Sequence, residues 1–322
     1  MKIPNDLRLW ACERLVTGVN RRQAARSLVS SASTHGIDLD LMWGVISDHA
    51  EKSMPRVRQV CLAVLGAGRT AMLFHSSPES PRQFGSREVQ QREIGASISA
   101  CLVELSTMPD RAGLAQCLIE PKHTWANQVC LDAGMISVGE LAYMRKPLDA
   151  QRARPVTEPD WGPGIRVESL ASIEHRSPGQ ADPDLTRALE GSYEQTLDCP
   201  ELCGLRSMPD VLESHKATGS FDPNHWLLIY KHDQPVGCCL LTHCPNNDSI
   251  ELVYLGIAPD ARGLGLGRRV LEYGIARMSA LCAKDVTCAV DTRNTPAIHV
   301  YESLGFGRFD SRHGYVVALP LG

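Results

Sequence analysis

No stretch of this 322-residue chain is apolar for long enough to cross a bilayer as a helix. Aromatic residues are scarce, at 5% of the chain, and none interleave with a basic run. With a formal net charge of −4, a nucleic-acid surface is not expected. The first eight residues contain no apolar core followed by a small-residue cleavage site, so a cytoplasmic protein is expected, with no membrane partner. Metal-ligand spacing is missing too. The pair Cys199 and Cys203 has no second Cys-x-x-Cys or His-x-x-x-His beside it, so no metal is expected. The 12 cysteines are otherwise scattered, mostly inside apolar runs, where thiols act as small hydrophobes. No Gly-x-Ser-x-Gly elbow announces a serine nucleophile.

The informative segment is Arg262-Gly263-Leu264-Gly265-Leu266-Gly267-Arg268-Arg269. Glycines at alternate positions let the backbone curl tightly and approach a ligand. An apolar run, residues 250–257, precedes it. Residues 267–282 follow, with apolar Val270, Leu271, Ile275, Met278 and Leu281 at helical spacing. A curl that opens a helix presents unpaired N–H groups and a positive dipole end, a place for phosphate. Arg262, Arg268 and Arg269 add mobile positive charge. A P-loop would need Lys-Ser/Thr after the last glycine, and Arg268-Arg269 stand there. A dinucleotide fold would need an acidic residue about 20 residues on. Asp285 and Asp291 lie roughly there, but residues 226–230, 236–242 and 250–257, joined by Asn/Asp/Pro turns, read as an antiparallel meander instead.

Downstream, residues 286–290 read as a strand. Residues 294–306 read as a helix with Pro296 near its start and Gly305 at its end. Together these segments resemble the GNAT acetyltransferases, through Arg-x-x-Gly-x-Gly after a strand and Asn-x-x-Ala-x-x-x-Tyr-x-x-x-Gly-Phe, in order, over roughly residues 160–319. The resemblance implies an α/β (α+β) fold, a mixed and mostly antiparallel sheet flanked by helices. It also implies acetyl-CoA as co-substrate. Its pyrophosphate would lie on Arg262, Gly263, Leu264, Gly265, Leu266, Gly267 and Arg268. Its pantetheine arm would run along Leu255, Gly256 and Ile257, with Asn294 and Ala297 beside it. Tyr301 would protonate the leaving thiolate. Glu251, a carboxylate in an otherwise apolar strand, should have its pKa raised by desolvation and suits a general base; the resemblance puts the base at the same position. His225, His243 and His299 are alternative bases.

The length suits two domains. Residues 145–163, rich in proline and charge, read as a linker, giving domains at 1–148 and 163–322 with 149–162 between. The first half repeats the second weakly. Setting Gly134 against Gly305 matches Cys130 to Tyr301 and His123 to Asn294, and Arg92-Glu-Ile-Gly-Ala-Ser97 reads as a degraded glycine loop. This layout resembles the mycothiol synthase family of tandem acetyltransferases, which implies catalysis in the C-terminal half and a degenerate N-terminal half. Residues 191–206, facing the acceptor, do not look like that family's. The expected partners are therefore acetyl-CoA and a primary amine, in a monomer or weak homodimer. A CoA-binding protein without catalysis, and acetyl transfer to a protein or peptide, stay open.

Overall fold

The structure, a computed structural model, describes residues 1–47, 56–148 and 156–321. It divides into two compact units, residues 1–138 with 313–322, and residues 139–312. Among the described residues no helix is long and apolar enough to cross a membrane.

In the first unit, helices α1 (Arg8–Leu15) and α2 (Arg21–Ser31) precede strands β1 (Met42–Ser47), β2 (Arg56–Gly66) and β3 (Thr70–His75). A short helix α3 (Pro81–Phe84) leads to α4 (Arg87–Ser106), β4 (Leu114–Ile119), α5 (Thr124–Asp132) and β5 (Ile136–Pro147). Strands β1, β2 and β3 pair antiparallel, and β3 pairs with β4 in parallel over only three residues, Thr70 to Met72. Alternation along β2 sends Val60 and Leu62 to a core under α1 and α2, and Cys61 and Ala63 to a core under α4 and α5. The sheet is therefore covered on both faces.

The second unit repeats this plan with β6 (Ile165–Ser169), α6 (Leu170–Arg176), α7 (Ala181–Tyr193), α8 (Met208–Lys216), β7 (Trp226–Lys231), β8 (Gln234–Cys244), β9 (Ser249–Ile257), α9 (Leu266–Arg277), β10 (Asp285–Asp291), α10 (Thr295–Ser303) and β11 (Gly307–Ala318). Strands β7 to β9 form the expected antiparallel meander, and β6 adds a further antiparallel strand beside β7. Leu228, Tyr230 and Leu240 pack under α6 and α7; Leu227, Ile229 and Leu241 pack under α9 and α10. Helix α9 lies close on β8 because Gly274 has no side chain: a Cβ there would stand 2.6 Å from Leu241 Cδ1. This is the mixed, mostly antiparallel sheet flanked by helices that the sequence implies.

Two expectations are corrected. Residues 139–144 do not close the first half. Strand β5 pairs antiparallel with β10, from Leu141 opposite Asp291 to Pro147 opposite Asp285, and so belongs to the second unit from Gly139 onward. In return, His313–Ala318 of β11 pair with β4 in the first unit. Each unit thus takes its last strand from the other half of the sequence, and the compact units do not follow the boundaries at 148 and 163. The linker reading also fails at both described ends: Arg145 to Pro147 are strand, and Trp161 is buried against Tyr273, its ring edge-on at 5.5 Å. Residues 149–155 lie outside the described residues. The second correction concerns Arg92 to Ser97, which sit inside α4 rather than at its start, so they form no loop.

A fragment of residues 156–312 leaves β10 with a bare antiparallel edge, a template for aggregation. It is expected to be largely insoluble, whereas a 136–312 fragment, which keeps β5, should recover soluble yield and a cooperative melt by circular dichroism.

Candidate functional site

The site is built where β9 and β10 part. They pair in parallel over three positions, Ser249 with Asp285, Ile250 with Val286 and Glu251 with Thr287, and then no further. On its other side β9 stays paired with β8, but the register slips so that Leu240 faces Tyr254 and Leu241 faces Leu252. Val253 is the extra residue of this bulge, which reverses the facing of the strand beyond it. Leu255 and Ile257 consequently pack toward α9, while Tyr254 packs toward α7, where its hydroxyl bonds Ser192 at 2.8 Å. Gly256 is required here by the protein itself: a Cβ would lie 2.5 Å from Tyr254 Cε1 and 2.6 Å from Ser192 Oγ.

Glu251 is the last paired residue before the parting. Burial alone raises its pKa, and among the described residues it has no ion-pair partner. It lines a cavity of about 270 Å³ with Tyr143, Arg145, Asn247, Asp285 and Phe309. Of the alternative bases, none lines this cavity. His299 is exposed, and His225 faces Asp222 at 3.6 Å.

The glycine loop lies at the far end of β9. Gly263 and Gly265 have φ of +77° and +69°, in the left-handed region, with no atom within 4 Å of a Cβ built on either. The first backbone donation of α9 runs from Arg269 N to Gly265 O at 3.3 Å, and no side chain caps the helix. Among the described residues the amides of 263–268 therefore donate to no protein acceptor, which is the chemistry of an anion cradle. Leu264 is half exposed; Leu266 turns into the core, leaving its amide to the loop.

The arginines divide differently from the expectation. Arg262 is not mobile charge: its guanidinium donates to Ile257 O, Ser192 O, Glu194 O and Gln195 O at 2.7–3.2 Å, tying the loop to the end of α7. Arg269 donates to Asp160 O at 2.8 Å and Leu264 O at 3.0 Å. Arg268 alone of the three is exposed with no protein partner among the described residues.

Helix α10 supplies Tyr301, which is 5% exposed with its ring 5.7 Å from Phe306. Burial, aided by Cys288 and Asp198, pushes its phenol well above the ordinary value, so the resting side chain keeps its proton and stands as a donor. Asn294 is the N-cap, with Ala297 N donating to its Oδ1 at 3.3 Å. That oxygen already serves the helix. Ala297 is partly buried against the core.

A polar network missed in the sequence holds the end of β10. Asp291, fully buried, accepts from Cys199 N at 3.1 Å, from Arg293 N at 2.8 Å and from the Arg293 guanidinium at 2.6 Å. Asp291 N donates to Asp198 Oδ1 at 2.8 Å, and Arg293 pairs with both oxygens of Glu201 at 2.7 and 2.8 Å. The stretch 198–201, inside the segment 191–206 that is expected to face the acceptor, is anchored by these bonds. Among the described residues no group of His, Cys, Asp and Glu is placed to hold a metal.

Because folding raises the Glu251 pKa, the folded state favours the neutral acid. That stabilising effect is present below the unfolded value of about 4.5 and is lost as pH rises through the raised value. Glu251→Gln is therefore expected to raise Tm at pH 8 and to leave it nearly unchanged at pH 4, in paired thermal melts.

Residues 191–306 match the acetyltransferase (GNAT) family. The chain is 30% identical over 192 residues to the mycothiol acetyltransferase of Rhodococcus erythropolis, covering 58% of this chain and 60% of the relative. It is 33% identical over 177 residues to that of Thermomonospora curvata, covering 55% and 54%. The chain thus spans between half and two thirds of the length of these relatives. A GCN5-related N-acetyltransferase from Sphaerobacter thermophilus shares the fold over 99% of this chain and 93% of its own, with a TM-score of 0.58 at 18% identity. The parted strands, the uncapped glycine loop and the family match fall on the same residues, and the stretch 191–306 of the second unit is a GNAT acetyltransferase domain.

Proposed function

We propose that the second unit transfers the acetyl group of acetyl-CoA to a primary amine of a small molecule, by direct attack in a ternary complex. The observation that carries this reading is an unpaired, half-buried carboxylate, Glu251, at the point where β9 and β10 part. The free amides of 263–268 stand at the strand's other end, and residues 251 to 257 span about 20 Å of extended chain between the two. The pyrophosphate rests on the loop amides with Arg268 over it. The pantetheine arm follows residues 255–257 into the gap that β10 leaves, pairing as an added strand would.

In the ternary complex Glu251, ionised above its raised pKa, takes a proton from the acceptor ammonium, directly or through water. The freed amine attacks the thioester carbonyl, and a backbone N–H near Leu255 stabilises the oxyanion. As the C–S bond breaks, the Tyr301 phenol gives its proton to the thiolate. A binding protein without chemistry would have no use for an unpaired carboxylate where β9 and β10 part.

The first unit is a degenerate copy in this reading. The N-terminus of α4 is already capped, Ser86 Oγ accepting from Val89 N at 3.4 Å, whereas α9 is uncapped. Cys130 stands at the Tyr301 position, buried and engaged with the Cys117 thiol. His123 caps α5 without a side-chain bond, where Asn294 caps α10 with one. The acceptor is left at the level of a primary amine, since residues 191–206, expected to face it, do not look like the segment of the mycothiol synthase family.

Two outcomes test the reading. Gly265→Val puts a β-branched residue at φ +69° and should weaken acetyl-CoA at least about 10-fold by calorimetry; Arg268→Ala should also weaken it with Tm unchanged, while Arg262→Ala should lower Tm. Unchanged acetyl-CoA affinity in Gly265→Val would remove the loop assignment. Glu251→Gln should lower kcat by about 10²–10⁴-fold and abolish the acid limb of the pH–rate profile, with acetyl-CoA affinity kept; a profile identical to wild type would move the base elsewhere.

A further inference from the structure

We propose that the acceptor amine also carries an anionic group, and that Arg145 is the residue that recognises it. The inference rests on the reading of Glu251 as the base. Arg145 of β5 lies opposite Thr287 of β10, and Thr287 lies opposite Glu251 of β9. The three residues form one rung across adjacent strands, so Glu251 and Arg145 stand on the same face, two strand spacings or about 10 Å apart at the backbone. Both line the same cavity of about 270 Å³, and Arg145 is the one cationic side chain among its lining residues.

The guanidinium is held rather than free to swing. It lies 4.2 Å from the centre of the Phe309 ring and 3.3 Å from Asp285 through Nε. This leaves the two terminal nitrogens without a protein partner among the described residues, in the planar fork that suits a carboxylate or a phosphate. The Asp285 pair is partly exposed, 47% at Arg145 and 21% at Asp285. Such a pair contributes little by itself, so a ligand anion can share the guanidinium without a large loss. Asp285 and Phe309 then act as positioning residues for Arg145. An acceptor bridging the rung would put its ammonium at Glu251 and its anion at Arg145, with Tyr143 and Phe309 flanking the atoms between. Arg145 and Tyr143 reach this cavity only because β5 pairs with β10. The specificity of the second unit is therefore written in the first half of the sequence.

The test uses the full-length protein and thiol release from acetyl-CoA. The acceptors are 3-aminopropanoate, 4-aminobutanoate and 6-aminohexanoate beside their carboxamides, and phosphoethanolamine beside ethanolamine. Wild type should favour the anionic member of at least one pair by about 10- to 100-fold in kcat/KM, mainly through KM, as expected for a charged hydrogen-bonded contact. A carboxylate or a phosphate preference identifies which anion the fork takes. Arg145→Gln should collapse that ratio toward one, and Arg145→Lys should keep part of it. A merely structural role would lower both members together and leave the ratio intact, which overturns the proposal. Thiol release favouring the neutral members, or none with any anionic member, overturns it equally. Acetyl-CoA affinity and the Glu251→Gln pH profile, measured alongside, separate failure of this inference from failure of the site.

Discussion

The structure of the second unit turns on a ladder that stops early. Strands β9 and β10 share three rungs and then separate, although parallel neighbours in a sheet gain backbone hydrogen bonds by continuing. Other contacts hold the two ends apart. Beyond the bulge at Val253, β9 is kept against β8 and fixed on both faces, by Tyr254 on Ser192 and by Leu255 and Ile257 against α9. The end of β10 is held by Asp291, whose carboxylate and amide are both spent on residues 198, 199 and 293. The gap is consequently a designed absence of pairing, lined by backbone groups that an extended amide-bearing arm can satisfy.

The same economy governs charge. Arginines 262, 269 and 293 look alike in sequence but are clamps on carbonyls and carboxylates. Each fixes a segment of irregular backbone that no sheet or helix ladder could hold: the loop exit, the start of α9, and the turn after β10. Among the described residues, Arg268 and the fork of Arg145 keep donors without a protein partner. A fork that is already oriented loses less freedom on meeting an anion than a flexible lysine would, which is why its immobilisation by Phe309 matters to recognition.

The first unit repeats the plan of the fold with different residues at the matching positions. Its parallel pair β3 and β4 also stops after three rungs, yet the helix that follows is capped by its own Ser86, and the position of the phenol holds a thiol. Cys61, Cys101, Cys117 and Cys130 share one core. Hydrogen bonds with the Cys101 and Cys130 thiols, together with burial, push the Cys61 and Cys117 thiols up, so they remain protonated and pack as small hydrophobes. The last strand of the first half is given to the second unit.

What the sequence determined by itself was local. Alternating glycines before an apolar helix could be read as a tight curl with unpaired amides, because turn formation and capping depend on a few neighbouring residues. The helix from Asn294 to Gly305, and the burial of Glu251 in an apolar strand, were legible for the same reason. The tertiary structure alone decided everything that joins residues far apart in the chain. Periodicity shows that residues 139–144 form a strand but carries no information about its partner, so the pairing of β5 with β10, some 140 residues away, was invisible. So were the four carbonyls on Arg262, the burial of Asp291 under the 198–201 loop, and the rung that puts Arg145 on the same face as Glu251. Strand partners and side-chain acceptors are chosen by whole-sheet packing, and that choice leaves no pattern in any short window of sequence.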